Sequence, residues 1–275
     1  MTGGIASSTD CFNKHNLKET ILVTVDEFSK MSLHGQIILM KNTVWLGNEV
    51  IYVALNTKNE IGKLGRQYST MVYVSKVDRD CISSLKGYDM EAAMQTIFLH
   101  LLPDSNVPFF RRYIKEKRKV RKEISELMGW SKEKTKEVLQ AIVMGEGKKS
   151  YTEELEEEFG IYTERDMFAE KISAKASDNT QVAKYARKRT KEKVKEKNAS
   201  AKIDFKKMTA SQSRTFMFFY WSYYERKIQD AMSPMFINPL PLHDAVYSQC
   251  SLPSMEEVEK KIKECTDIDM KLGED

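Results

Sequence analysis

The chain has little of what makes linkers, cross-links and tight turns: 6 Pro, 12 Gly and 4 Cys in 275 residues. So few breakers exclude collagen-like, low-complexity and wholly disordered classes, and 41% hydrophobic with 31% charged residues describes a helix-rich globular chain. Cys11, Cys81, Cys250 and Cys265 are scattered, with no C-x-x-C pair and no His at zinc-ligand spacing. That argues against a disulfide framework or structural zinc and for a reducing compartment. No apolar run approaches the roughly 20 residues of a membrane span. Met1 to Asp10 also lack a basic stretch followed by an apolar one, so the expectation is a cytoplasmic chain with no membrane partner. A dinucleotide-binding glycine loop, a P-loop and a supported Ser-His-Asp spacing are missing too, which disfavours small-molecule chemistry.

What is present is charge, unevenly spread. The net charge is +4, but Arg111 to Lys122 hold eight Lys or Arg against one Glu, and Lys184 to Lys207 eleven against three acids. Two basic blocks in an otherwise acidic chain suggest a polyanion-binding surface, since each phosphate contact releases condensed counterions. The plainer alternative is two solvated helix faces.

Along the chain, residues Asn16 to Asn56 read as short strands, with runs at Ile21–Val25, Gln36–Met40 and Glu49–Leu55 punctuated by Gly35 and Gly47. Met71 to Val74 is a further strand candidate. Apolar spacing from Met90 to Leu102 predicts a helix starting straight after Asp89 and ended by Pro103. Arg111 to Met128 is a second helix, stopped near Gly129, and Ser131 is a good N-cap for a third running to Met144. Tyr151 to Phe168 is acidic and the chain then turns basic through Lys207. Ser211 to Met232 is a helix crowded with aromatics, read as buried core rather than as a base-stacking platform. Pro239 to Ser248 reads as an apolar strand interrupted by His243-Asp244. Ser254 to Cys265 is an amphipathic helix, with a last strand over Ile268 to Leu272.

Asp244, in a segment that should be buried, needs a partner or a metal. Asp89, at a strand end before an apolar helix, is the second candidate. Its structural alternative is a helix cap. On adjacent strands the two carboxylates would form a site for hard divalent cations, the clamp that two-metal phosphoryl transfer needs.

The order of the features between them resembles a known family. Gly65-Arg66 with Tyr68, Asp89, the run Lys132-Glu133-Lys134-Thr135-Lys136 with Met144-Gly145 beyond it, and His243-Asp244 are similar to the ordered motifs of the single-subunit phage-type RNA polymerases and family A DNA polymerases. The resemblance covers roughly Gly62 to Leu272. It implies two Mg2+ ions on Asp89 and Asp244, and Lys136, with Lys132 one turn earlier and Met144-Gly145 after it, binding the incoming nucleotide. It also implies His243 beside the primer end and Arg66 on template or product. Relatives carry Tyr or Phe where Met144 stands and Arg where Lys132 stands, so ribo- and deoxyribonucleotide products both stay open.

The fold expected is α+β, a polymerase-like palm with a small antiparallel sheet and helical fingers. The divisions are a β-rich lead-in over 1–60, palm over 61–105, fingers over 106–207 and palm again over 208–275. Arg111, Arg112, Lys115, Arg118, Arg187, Lys188 and Arg189 are the further nucleic-acid-binding candidates. The function expected is a template-directed nucleotidyltransferase, a compact catalytic subunit of a DNA-directed RNA polymerase. Its partners would be DNA template, nucleic-acid product, nucleoside triphosphates and a second polymerase subunit, because the resemblance leaves the chain short. The alternatives are a minimal family A-like DNA polymerase and a non-catalytic basic nucleic-acid-binding protein.

Overall fold

The computed structural model describes residues 20–46, 49–54, 70–149, 152–197, 199–242 and 244–274. In chain order the elements are β1 (Thr20–Thr24), α1 (Val25–Lys30), α2 (Leu33–Lys41), β2 (Thr43–Leu46), β3 (Val50–Ala54), a 3-10 turn (Thr70–Tyr73), α3 (Lys76–Arg79), β4 (Lys86–Met90) and α4 (Ala93–Leu101). Then follow α5 (Pro108–Met128), α6 (Lys132–Val143), α7 (Glu153–Phe159), α8 (Ile161–Ala174), α9 (Gln181–Lys197), α10 (Ala210–Met232), β5 (Leu240–Leu242), β6 (Ala245–Ser248), α11 (Met255–Thr266) and β7 (Leu272–Glu274). Among the described residues the protein is helix-rich with two small sheets, an α+β chain.

Two compact units divide these residues. The first gathers the described residues up to Asp89 with those of Gln229–Lys261 and the end from Leu272; the second gathers those of Met90–Ile228 with Ile262–Lys271.

In the first unit, β1, β3 and β2 form one sheet and β5, β6, β4 and β7 another, each in that order. β1 and β3 run antiparallel, with Val23 opposite Ile51 and Ile21 opposite Val53. Alternate residues of these strands face one way, and Ile21, Val23, Ile51 and Val53 join Leu240, Leu242, Ala245 and Tyr247 in a single buried cluster. The side-chain amide of Gln249 serves the edge backbone of β1: it donates to the Leu22 carbonyl at 2.6 Å and accepts from the Leu22 N–H at 2.8 Å.

Three elements differ from the sequence expectation here. Gln36–Met40 lies inside helix α2, not in a strand. The run is apolar on every side, so its period does not discriminate, and its helical form is imposed by a cap: Ser32 Oγ accepts from the Gly35 N–H at 3.1 Å. Asp78 fixes that cap from 46 residues away, accepting from the Ser32 N–H at 2.6 Å and Oγ–H at 2.9 Å. Met71 and its neighbours form the 3-10 turn rather than a strand. The final strand is Leu272–Glu274, later than Ile268–Leu272.

The second unit is helical. Phe98, Phe110 and Phe168 stack at 5.0 and 5.4 Å between centroids and are wholly buried. α4 begins after Ala92, three residues later than expected, because β4 continues past Asp89 and the chain turns through a left-handed Ala92 at φ 47°. α5 ends at Gly129, whose φ of 61° suits a residue without Cβ. On α10, Phe216, Phe219, Tyr220, Trp221 and Tyr223 are buried, so its aromatics are core.

Candidate active site

Residues 240–248 form a hairpin, not one interrupted strand. Leu242 pairs with Ala245, Pro241 with Val246 and Leu240 with Tyr247, so the chain turns back between the strands, with Asp244 in the turn. The turn explains how a polar pair interrupts an apolar run: the strands are buried and Asp244, in the turn, is half-buried. His243 lies outside the described residues.

β4 lies against the other side of β6, with Gly87 opposite Tyr247, Tyr88 opposite Val246 and Asp89 opposite Ala245. Asp89 is therefore the cross-strand partner of the residue that follows Asp244. Paired Cα atoms are about 4.5–5.5 Å apart and consecutive ones 3.8 Å, which holds the Cα atoms of Asp89 and Asp244 within about 9 Å. The register thus brings together two acids separated by more than half the chain. Asp89 is a half-buried strand residue, not a helix cap. Tyr88, on the opposite face, is anchored by its hydroxyl, which donates to the Pro253 carbonyl at 2.7 Å, and by an edge contact with Phe236 at 5.8 Å.

Gly87 makes the register possible. A Cβ there would stand 2.6 Å from the Val246 carbonyl oxygen and 2.7 Å from the Tyr247 ring.

The candidate nucleotide-binding residues belong to the second unit. Ser131 caps α6 as expected, accepting from the Lys134 N–H at 3.1 Å. The helix buries Thr135, Leu139, Ile142 and Val143. Lys132 and Lys136, at i and i+4, are both exposed. Lys134 instead covers the Trp130 ring at 5.0 Å. A lysine in a first helical turn opposes the helix dipole, so Lys132 adds nothing to the stability of α6. Met144 is the half-buried C-cap, and Gly145 follows at φ 104°, where a Cβ would stand 3.2 Å from that of Arg214.

Two consecutive residues of α8 hold the helices that carry these cations. Glu164 accepts from the N–H groups of Phe109 and Phe110 at 2.8 and 3.0 Å, capping α5, whose own N-cap has no side-chain bond. Burial pushes its carboxyl above the usual carboxylate range, and the two N–H groups pull the other way without cancelling the shift. Arg165, 1% exposed, donates to the carbonyls of Ile142 at 3.0 Å and of Glu146, closing the C-terminus of α6. Asp166 pairs with Arg165 at 2.8 Å and Arg214 at 3.6 Å. Neither Glu164 nor Arg165 stands out in sequence, because their partners are main-chain groups.

The basic candidates fall into two kinds. Arg111 donates to the carbonyls of Pro103 and Ser105, Arg112 pairs with Glu116 and Glu123, and Arg187 donates to the carbonyls of Ala176 and Asp178. These three hold the protein to itself. Arg189 pairs with Glu192 and lies 5.3 Å over Phe219. Lys115, Arg118 and Lys188 are exposed. Arg66, with Gly65 and Tyr68, lies outside the described residues.

No family model and no curated protein matches the chain. Among the described residues, no three His, Cys, Asp or Glu side chains gather as a metal site, and the acidic pair remains the sharpest candidate. Cys81, Cys250 and Cys265 are free thiols. No helix among the described residues is long and apolar enough to cross a membrane.

Proposed function

We propose that the chain is a template-directed nucleotidyltransferase, a compact catalytic subunit of a DNA-directed RNA polymerase of the phage type. The observation that carries this reading is the β4–β6 register, which sets Asp89 beside a hairpin loop containing Asp244. A strand-end acid next to an acidic hairpin tip is what the resemblance in sequence leads one to look for.

The donor set fits magnesium. Carboxylate oxygens are the hard ligands that ion takes, and it commonly binds through one or two carboxylates, completing its shell with water and substrate phosphate. Asp89 and Asp244 would hold the two ions. When bound, magnesium supplies activation of the attacking hydroxyl and charge neutralisation at the transferring phosphoryl group.

The chain's own groups do the rest. Lys132 and Lys136 bind and orient the triphosphate, and the charge of Lys136 offsets the negative charge developing on the leaving pyrophosphate. Gly145, where φ is positive, lets the chain leave α6 without a side chain beside Arg214. The exposed cations Lys115, Arg118 and Lys188 bind template and product backbone. A second polymerase subunit is its proposed partner, and the enzyme works in the cytoplasm, that of the host if it is phage-encoded.

The test is extension of a primed DNA template by the full chain with magnesium, offered ribo- and deoxyribonucleoside triphosphates in parallel, with and without its partner subunit. Asp89→Asn and Asp244→Asn should each reduce extension at least about a hundredfold, the equivalent of a few kcal/mol of transition-state stabilisation. Extension that survives both substitutions would end the reading. Incorporation of deoxyribonucleotides alone would move the assignment to a minimal DNA polymerase.

A further inference from the structure

The charges of α9 are sorted by face. Its two acids, Glu192 and Glu196, are taken up by Arg189 at 2.5 Å and Lys193 at 2.9 Å. Arg187 is committed to the carbonyls of Ala176 and Asp178. That leaves Lys184, Lys188, Lys191 and Lys195 exposed along one stripe at i, i+4, i+7 and i+11, with no ion pair among the described residues. With Arg187 and Glu192 they line a surface groove of about 350 Å³. The opposite side of the helix is buried through Val182, Ala183, Ala186 and Thr190.

We infer that this stripe grips the phosphate backbone of a nucleic-acid duplex without regard to sequence. This deepens the polymerase reading by naming the form of nucleic acid, and it rests on that reading for the choice of a nucleic acid among polyanions. Eleven residues of helix rise about 16 Å, the axial length of about five phosphates on one strand of B-DNA at 3.4 Å each. Four exposed ammonium groups without an ion pair, one of them resting over the Phe205 ring at 5.5 Å, therefore run the length of one short backbone tract.

Other partners fit this surface less well. A helix lying on a bilayer inserts a free apolar face, and the apolar face of α9 is already buried in the protein. Single-strand binding proteins interleave cations with aromatic rings on which bases stack. The rings near α9 are already packed in the protein: Tyr185 is half-buried on Tyr223 at 6.0 Å, and Phe205, half-buried beneath Lys191, packs edge-on against Phe216 at 6.2 Å. Lysines whose neighbouring ring is packed in the protein and whose neighbouring guanidinium is bonded to carbonyls hold phosphate and read no bases.

The experiment measures binding of the full chain, in EDTA, to a labelled 20-base-pair duplex, to one of its single strands, and to phosphatidylserine vesicles, between 50 and 200 mM salt. The variant is Lys188→Gln/Lys191→Gln/Lys195→Gln, and Lys193→Gln, which removes a cation outside the stripe, is the control. For the duplex, the triple variant should lower the magnitude of the slope of log K against log salt by about 0.9 per lysine, about 2.7 in all, with the control close to wild type. An unchanged duplex slope overturns the inference, as does an equal effect of the substitutions on the single strand or the vesicles. A chain that extends no primer yet loses duplex affinity in the triple variant keeps the stripe and loses the polymerase reading. A chain that extends primers while the triple variant binds duplex like wild type loses the stripe alone.

Discussion

Glu164 and Arg165 are adjacent in sequence and cap opposite ends of two different helices: the carboxylate closes the N-terminus of α5 and the guanidinium the C-terminus of α6. Each charge has the sign its helix end favours. α5 carries the first basic block and α6 the lysines assigned to the triphosphate, so one dipeptide of α8 fixes both.

Glu164→Ala would leave two buried N–H groups without acceptors, at a cost of about 1–3 kcal/mol. At about 2–4 °C per kcal/mol for a chain of this size class, the melting temperature should fall by several degrees. The sign of its pH dependence is set by the raised folded-state pKa. The folded protein keeps a proton that the unfolded chain releases, so this group's contribution falls as pH rises from the ordinary carboxylate range through the folded value. Urea midpoints measured from pH 4 to 7 should lose that component in Glu164→Gln.

Arg165→Met should release the last turn of α6. The amides of Met144 and Gly145, bonded to the carbonyls of Gln140 and Ile142, should exchange with solvent faster than in wild type. Amides of the first unit, such as Val23, should be unaffected.

Asp78 and Glu27 act in the opposite pH sense to Glu164. Burial pushes each carboxyl up, but hydrogen bonds outweigh it: Ser32 and Ser75 on Asp78, Ser83 and Thr24 on Glu27. Both folded values lie below the ordinary ones, so their stabilisation is present above about pH 4–5 and is lost as pH falls through the folded values. Thermal melts should show a steep decline below pH 4 that is shallower in Asp78→Asn, which should also be less stable at pH 7.

Gly87→Ala tests the acidic pair without touching it. The added methyl meets the Val246 carbonyl oxygen and the Tyr247 ring at under 3 Å, and such overpacking costs about 1–3 kcal/mol. In the extension assay this variant should lose activity with Asp89 and Asp244 both in place, and its melting temperature should fall. Full activity would show that the β4–β6 register does not matter to catalysis.

Lys132→Gln and Lys136→Gln should separate binding from chemistry. Lys136→Gln should lower kcat, since its charge is needed most as pyrophosphate leaves, and Lys132→Gln should mainly raise KM for the triphosphate. Neither should alter the melting temperature by more than a degree or two, because both side chains are exposed.

Local signals proved dependable where the information lies within a few residues. Ser131 caps α6, Gly129 ends α5, and the aromatic helix over Ser211 to Met232 is core, each because a cap, a positive φ or a helical repeat is written into neighbouring positions. The run Gln36–Met40 misled for the same reason: apolar on all sides, it fits strand or helix, and a carboxylate 46 residues from its cap decides between them. The hairpin over β5 and β6 was half legible: its apolar strands are evident in the sequence, and the turn at Asp244 reads there as an interruption. The basic blocks were legible as charge but not as availability, since main-chain carbonyls and nearby glutamates claim Arg111, Arg112 and Arg187 and leave Lys188 with its neighbours along one face of α9.

By itself the sequence determined the helix-rich α+β character, the capped lysine helix, and which two acids were worth bringing together, because composition, periodicity and capping act over one or two turns of chain. Only the tertiary structure decided that β4 and β6 pair in the register that sets Asp89 beside Asp244, and which cations stay free. Those outcomes depend on cross-strand hydrogen bonds and buried caps between residues far apart in sequence, and no local pattern encodes their partners.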